Sequence, residues 1–421
     1  MLRRLSARAA GLVAARRPQG SRPFSSGRSC LADRETRKLT LRDGHSIHIE
    51  DEDFWKYVAD QQSIDDADVY QNNVENYVGT VKYPVGLIGP VRVHGEYTAG
   101  KEYVIPMASH EGALLASYSR GAKVLNESGG VTARIKGRRM LRAPVFGFPR
   151  IADATDFLRF LSAKETQRQL RARIEGNLAH CTVVGLKAHQ TDRKVHLQIA
   201  VDSDDAAGQN IVTYAGTLAM ELVKELYGKP IYYSYIEGGF NSGKRVSAIH
   251  LLEGKGHSVV ADAIVPKAVV QQMLHTTPYR LQRFQKMHNR TNEFVGGLSC
   301  TGHAANGLAA MFIALGQDPA CVAECQVGVT HFDLYVEDSG TPIKESDLYC
   351  SITLNSVIVA TVGGGTSLPA FKAARALTGV QSANELAEVC AAAILGGELS
   401  FYAAMESGEF AKAHWNLTHK K

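Results

Sequence analysis

Four apolar residues on every second position, Val195, Leu197, Ile199 and Val201, alternate with His196, Gln198 and Ala200 and constrain this chain more than any other local pattern. A period of two puts alternate side chains on opposite faces of an extended backbone, so the run predicts a strand with one buried face. Residues 182–187 read as its antiparallel partner, joined to it by the polar turn 189–194. A loop over 204–210 then feeds a helix over 211–227, ended by Gly228. Strands and a helix in so short a span imply a small α/β sandwich.

The flanking segments carry longer elements. Tyr83-Pro-Val-Gly-Leu-Ile-Gly-Pro90 reads as a strand and turn bounded by prolines. Ser109 is placed to cap a helix over 110–126, stopped by Gly129 and Gly130. After Arg245 the pattern predicts strands over 246–252 and 258–263 and helices over 266–275 and 303–315. A strand over 349–361 runs into Gly363, Gly364 and Gly365, and a helix over 384–407 precedes a polar tail holding His414. The expected organisation is an N-terminal helical segment (31–71), a large α/β domain (72–143 and 245–421) and a small domain inserted at 144–244. The fold class is α+β.

Charge excludes one class of partner. The 421 residues are 45% apolar and 21% charged, with formal net charge +5. Seven arginines and no acid lie within residues 1–30, so the remaining body carries −2 and no nucleic-acid partner is expected. That Arg- and Ser-rich leader has the composition of a mitochondrial transit peptide, implying delivery to the matrix; a disordered basic tail is the plainer alternative. No uninterrupted apolar run reaches the roughly 18 residues of a membrane span, and none is expected. Seven cysteines show no paired spacing, and Cys321 and Cys325 lack partners for a metal set, so reduced thiols and no metal are expected.

The groups that offer chemistry are individually ambiguous. Glu111 falls in the first turn of the helix expected from 110, where a carboxylate gains from the helix dipole with no catalytic duty. Arg120 and Lys123 share a helix face that suits phosphates or simply water. Lys244 and Arg245 follow a Gly-rich bend, Asp318 before Pro319 is equally a helix cap, and His414 is by default an exposed tail histidine. The loop Asp205-Ala206-Ala207-Gly208-Gln209-Asn210 is more telling, because small residues at a helix N-terminus let backbone N–H groups approach a phosphate. Its aspartates count against an anion, and it is not the G-x-G-x-x-G fingerprint, which the chain lacks.

Taken in order, the motifs carry more. They are Glu75-Asn-Tyr-Val-Gly79, Pro84-Val-Gly-Leu-Ile-Gly-Pro90, Pro106-Met-Ala-Ser-His-Glu-Gly112, Ala116-Ser117 with Arg120-Gly121, and Arg142-Ala-Pro144. The 205–210 loop, Glu253-Gly-Lys-Gly256, His303-Ala-Ala-Asn306, Gly316-Gln-Asp318, Thr361-Val-Gly-Gly-Gly-Thr366 and Gly396-Gly-Glu-Leu-Ser400 follow. This set resembles the 3-hydroxy-3-methylglutaryl-CoA reductase family over roughly residues 69–414.

The resemblance implies reduction of 3-hydroxy-3-methylglutaryl-CoA to mevalonate and CoA with two NADPH, for isoprenoid and sterol supply. It implies a ferredoxin-like, non-Rossmann cofactor domain inserted in the substrate domain, and homodimers or homotetramers with active sites across the subunit boundary. Glu111, Lys244 and Asp318 match the charge-relay trio, and His414 the histidine of a mobile C-terminal flap. Arg142, Asn306 and Arg245 match substrate contacts, and Arg120 and Lys123 match cations near the CoA phosphates. The 205–210 loop matches the cofactor loop, with Gly363, Gly364 and Gly365 as a further approach. NADPH is favoured over NADH because Glu-Gly follows His110, as in the class-I-like members.

In that assignment negative charge grows on a carbonyl oxygen at each hydride delivery, and the Lys244 ammonium stabilises it. Glu111 gives the proton, its carboxyl raised by a neighbouring Asp318, and His414 protonates the departing thiolate. The chain departs from the family at Gly243, where Asp-Lys-Lys is usual, and Arg245 keeps charge without lysine geometry. The loop lacks a frequent methionine, and 286–301 matches poorly, with Lys286 as a candidate substrate contact. The alternative is a CoA-ester-binding relative without turnover.

Overall fold

The computed structural model describes residues 31–41, 43–70, 72–336, 346–412 and 415. The Arg-rich leader and His414 lie outside the described residues. The chain divides into compact units at 1–82 and 83–421.

The first unit is not simply helical. Short helices Glu52–Tyr57, Gln61–Asp65 and Ala67–Tyr70 follow an antiparallel sheet of Leu31–Asp33, Lys38–Thr40 and Ser46–His48. Strands of three residues are too short to show a period, so sequence reading missed them. Asp51 and Asp60 accept N–H bonds from Phe54 and Ser63 and cap the first two helices, and Leu39, Trp55 and Ala59 form the small core.

In the second unit Val131–Arg142 is the strand on which everything else is hung. Thr132–Arg139 pairs antiparallel with Gly256–Val265, while Met140–Arg142 pairs with Lys194–Asp202. After Ala143-Pro144 the chain resumes as Val145–Gly147 along that same Lys194–Asp202 strand. The segment expected as an insertion therefore continues the main sheet. Its strands lie in the antiparallel order Tyr233–Tyr235, Val145–Gly147, Lys194–Asp202, Thr182–Thr191. Helices Ile151–Ser162, Lys164–Glu175 and Gln209–Tyr227 complete a β-α-α-β-β-α-β sequence.

The opening alternation does form a strand, yet both of its faces are buried. Phe240 stacks on His196 and His189 at ring distances of 5.1 and 4.6 Å and covers the side expected to be wet. Two element assignments change. The helix expected from 110 is Leu114–Glu127, because Ala113 takes a left-handed φ of 72° and breaks any earlier turn. Residues 246–252, expected as a strand, hold the helix Ala248–Leu252, since so short an alternation does not separate the two periods. The helix Pro278–Phe294 was overlooked although Thr277-Pro278 is a cap followed by proline at the first helical position.

Ala383–Glu406 runs through the core, capped by Ser382 accepting from Glu385 N–H. By length and composition it could cross a bilayer, which counting unbroken apolar runs did not detect; here 94% of its apolar window is buried in protein. Its three buried glutamates are all bonded. Glu388 accepts three backbone N–H groups from Glu96, Tyr97 and Thr98, and Glu398 accepts from Gly302 and His303 N–H and the Thr330 hydroxyl. Glu385 accepts from the Tyr103 hydroxyl at 2.7 Å. Buried carboxylates persist only with such partners.

Candidate active site

Three cavities collect the residues singled out from sequence. The first, of about 240 Å³, is lined by Glu111, Ser117, Arg120, His303, Asn306 and Phe401 among others. Glu111 precedes its helix instead of opening it, and its N–H donates to Ser109 Oγ at 3.0 Å. The expected gain from the helix dipole is correspondingly weaker. Arg120 turns inward from the same helix. Its Nε and Nη2 donate to Ser400 Oγ at 3.0 Å and Ser400 O at 2.8 Å, and Nη1 meets Glu409 at 3.4 Å. Burial lowers its pKa, partly offset by Glu409. Lys123, three residues on, is exposed and lines none of the three cavities.

The second cavity, about 250 Å³, holds Arg142, Glu237, Asn241, Gly243, Lys244 and Arg245. Arg142 reaches it from the end of the shared strand. Its Nη1 donates to Glu237 at 2.7 Å and its Nη2 to Thr213 Oγ1 at 2.6 Å. Glu237 was not read from sequence, although the Glu-Gly-Gly bend just before Lys244 marks it. Lys286 lines none of the three cavities and sits 3.9 Å from Asp333.

The third cavity, about 620 Å³, brings Ala206, Ala207, Gly208, Gln209 and Asn210 against Gly363, Gly364 and Gly365, with Asp318 on its wall. Thr361 and Val362 donate N–H bonds to the Asp205 carbonyl, joining the two loops. The helix Gln209–Tyr227 begins at this cavity without a side-chain cap, so no side chain satisfies its first N–H groups from the cap position. Gly208 has φ 80°, and a Cβ there would sit 2.3 Å from Ser203 Oγ. The aspartates that counted against an anion are occupied elsewhere. Asp205 Oδ1 accepts from Ala383 N–H at 2.8 Å, and Asp204 Oδ2 meets His180 Nδ1 at 2.9 Å. Asp205 therefore belongs to the frame of this loop.

Gln209 lines both the second and third cavities, and one ion pair joins them. Lys244 Nζ lies 2.8 Å from Asp318 Oδ2. The hydrogen bond to Asp318 raises the Lys244 pKa against a smaller opposing effect of burial. Burial works to raise the Asp318 carboxyl, but the Lys244 ammonium and the N–H of Ala320 together hold it below the usual range. Both shifts keep the pair ionised at neutral pH. Asp318 is at once a partner of Lys244 and the cap of Pro319–Cys321, so both readings of it hold geometrically. Nearby, burial pushes the Cys321 thiol up to about 12, leaving it neutral.

Two of these cavities divide the singled-out residues between them. Glu111 and Asn306 line one cavity while Lys244, Arg142 and Arg245 line another, and among the described residues none borders both. Within one chain Asp318 pairs with Lys244 and does not line the cavity of Glu111.

The hydroxymethylglutaryl-coenzyme A reductase family model matches residues 34–419. The 3-hydroxy-3-methylglutaryl-coenzyme A reductase of Aeropyrum pernix is 34% identical over 360 residues, covering 83% of this chain and 83% of the relative. That of Haloferax volcanii is 34% identical over 361 residues, 83% of this chain and 86% of the relative. In fold the chain is similar to the reductase of Streptococcus pneumoniae, with TM-score 0.64 and 18% identity over 82% of this chain and 93% of that one. A second structure of that enzyme, described as class II and bound to NADPH, gives TM-score 0.62 at 19% identity over 83% and 93%.

Proposed function

Because this chain belongs to the hydroxymethylglutaryl-coenzyme A reductase family, we propose a division of labour among its residues for the reaction of that family. It is an NAD(P)H-dependent oxidoreductase that reduces 3-hydroxy-3-methylglutaryl-CoA, in the mevalonate route to isoprenoids. The observation that carries the assignment is the Lys244–Asp318 pair at 2.8 Å, shared by two neighbouring cavities.

The larger of these cavities suits a dinucleotide. Its uncapped helix start, small-residue loop and open triple glycine leave backbone N–H groups for phosphates. Two NADPH bound there in succession would each supply one hydride, the first for the thioester carbon and the second for the aldehyde carbon. The antiparallel strand order of the insertion supports reading it as a ferredoxin-like cofactor domain.

Lys244 donates to the carbonyl oxygen as charge grows on it, and Asp318 keeps that ammonium charged and aimed. Arg142 and Arg245 face the acid end of the substrate from the same cavity. Glu111 gives the proton, with Asn306 beside it, both from a second copy of the chain, which the separation of the cavities within one chain supports. His414 protonates the CoA thiolate when the hemithioacetal collapses.

Purified protein given 3-hydroxy-3-methylglutaryl-CoA should consume two NADPH per mevalonate, with NADH the poorer donor. His414→Gln should slow that reaction while sparing reduction of mevaldehyde, which has no thiolate to protonate. Thioester binding without cofactor oxidation would leave the non-catalytic alternative standing. A His414 variant with an unaltered thioester rate would remove that residue from the mechanism.

A further inference from the structure

The departure at Gly243 has a counterpart in the interior. A Cβ at Gly243 would lie 3.3 Å from Lys255 Nζ and 3.7 Å from Asn241 Nδ2. An aspartate at that position would therefore meet the Lys255 ammonium. Lys255 is instead paired with Glu324, at 2.8 Å to Oε2 and 3.1 Å to Oε1, and the two side chains are only 5% and 0% exposed. His250 Nε2 lies 3.3 Å from the same carboxylate.

The pairing has a geometric consequence. Glu324 stands on Val322–Cys325, directly after the turn that Asp318 caps. Lys244 and Lys255 come from the segment opposite. Two lysine–carboxylate pairs thus clamp the same two segments, one half-exposed at the cavity and one buried, with Lys255 in the cavity wall. Lys255 N–H also bonds the Asn355 carbonyl and Ser356 Oγ, which ties this segment to the strand Asp347–Val357. Lys244 itself has φ 55°, a left-handed conformation that a lysine keeps only where its surroundings hold it.

We propose that Lys255 and Glu324 form a positioning pair that sets the Lys244 turn against Asp318, with Glu324 supplying the carboxylate that Gly243 does not. Lys255 lies in the wall of the second cavity but is engaged by Glu324, so the pair acts on the reacting oxygen through Lys244. A buried ion pair costs desolvation, and fixing one geometry is a use for which such a pair is kept. Displacing the ammonium by a fraction of its hydrogen-bond length weakens stabilisation of the reacting oxygen more than it weakens substrate binding.

This inference rests on Lys244 being the group that stabilises that oxygen. Its test compares full-length wild type, Glu324→Gln, Gly243→Asp and the double variant for kcat, KM, the pH profile of kcat and circular dichroism. Glu324→Gln should lower kcat by about a hundredfold with little change in KM. Adding Gly243→Asp to it should return kcat to within about tenfold of wild type, because the carboxylate reaches Lys255 from a new position. If Glu324→Gln alone does not fold, recovery of folding and turnover in the double variant supports the proposal equally. A folded Glu324→Gln with wild-type kcat, a double variant no more active than the single, or failure of both to fold overturns it. An inactive wild type would defeat the reductase reading itself, a result distinct from an active wild type whose double variant is not rescued.

Discussion

Lys244→Ala is expected to lower kcat by roughly 10²–10³-fold or more while moving the KM for the thioester far less. The reason lies in the pair it belongs to. Lys244 is the cation 2.8 Å from Asp318 where two cavities meet, and its raised pKa keeps it charged at neutral pH. Removing it deletes the donor to the developing oxyanion and leaves the Asp318 carboxylate, itself repelling that charge, without its partner. Asp318→Asn should be nearly as damaging. The amide keeps the shape but carries no charge to hold the ammonium in place. Steady-state kinetics on both variants, with folding checked by circular dichroism, gives the answer. A loss confined to KM would make Lys244 a binding residue only.

Gly121→Val should abolish stable folding or cost at least about 3 kcal/mol in urea denaturation, the upper end of the usual overpacking range. A Cβ at Gly121 would lie 1.9 Å from the Gly396 carbonyl oxygen and 2.3 Å from its carbon, both backbone atoms of the facing helix. Backbone cannot swing aside as a side chain can, so the helices Leu114–Glu127 and Ala383–Glu406 must separate. Separation would also break the grip of Arg120 on Ser400 and open the cavity that Glu111 lines. A variant within about 0.5 kcal/mol of wild type would mean that this helix contact is softer than its geometry implies.

That contact also shows what could be read in advance and what could not. Arg120-Gly121 and Gly396-Gly-Glu-Leu-Ser400 were both recognisable as motifs in the sequence. Their meaning was not, because a glycine facing a glycine across two helices is a tertiary fact with no local period. The long strands and helices were legible where their periodicity extended over many residues, as in Lys194–Asp202 and Ala383–Glu406. Three-residue strands and the Ala248–Leu252 helix were not, since neither period repeats within them. At the site, the loop of small residues and the triple glycine were visible, and they do line one cavity. The roles of Glu237, Lys255 and Glu324 were not legible, even with Lys255 inside the Glu253-Gly-Lys-Gly256 motif, because they come from partners at residues 142, 324 and 255, reached only through the fold. The start of the helix after Glu111 was misplaced by four residues; Ser109 does accept a turn hydrogen bond, though not as the cap of that helix.

Glu111 and Lys244 line separate cavities of one chain, and the proposed active site takes its Glu111 from a second copy. Subunit complementation addresses this directly. Glu111→Gln and Lys244→Ala are each expected to be nearly inactive alone, and co-expression of the two should form mixed oligomers. In a mixed dimer one of the two composite sites receives an intact Glu111 and an intact Lys244. Random pairing then restores about a quarter of wild-type activity per total protein, since about half of the dimers are mixed. A mixture that demonstrably contains mixed oligomers yet stays as inactive as its parents would contradict a site shared between copies.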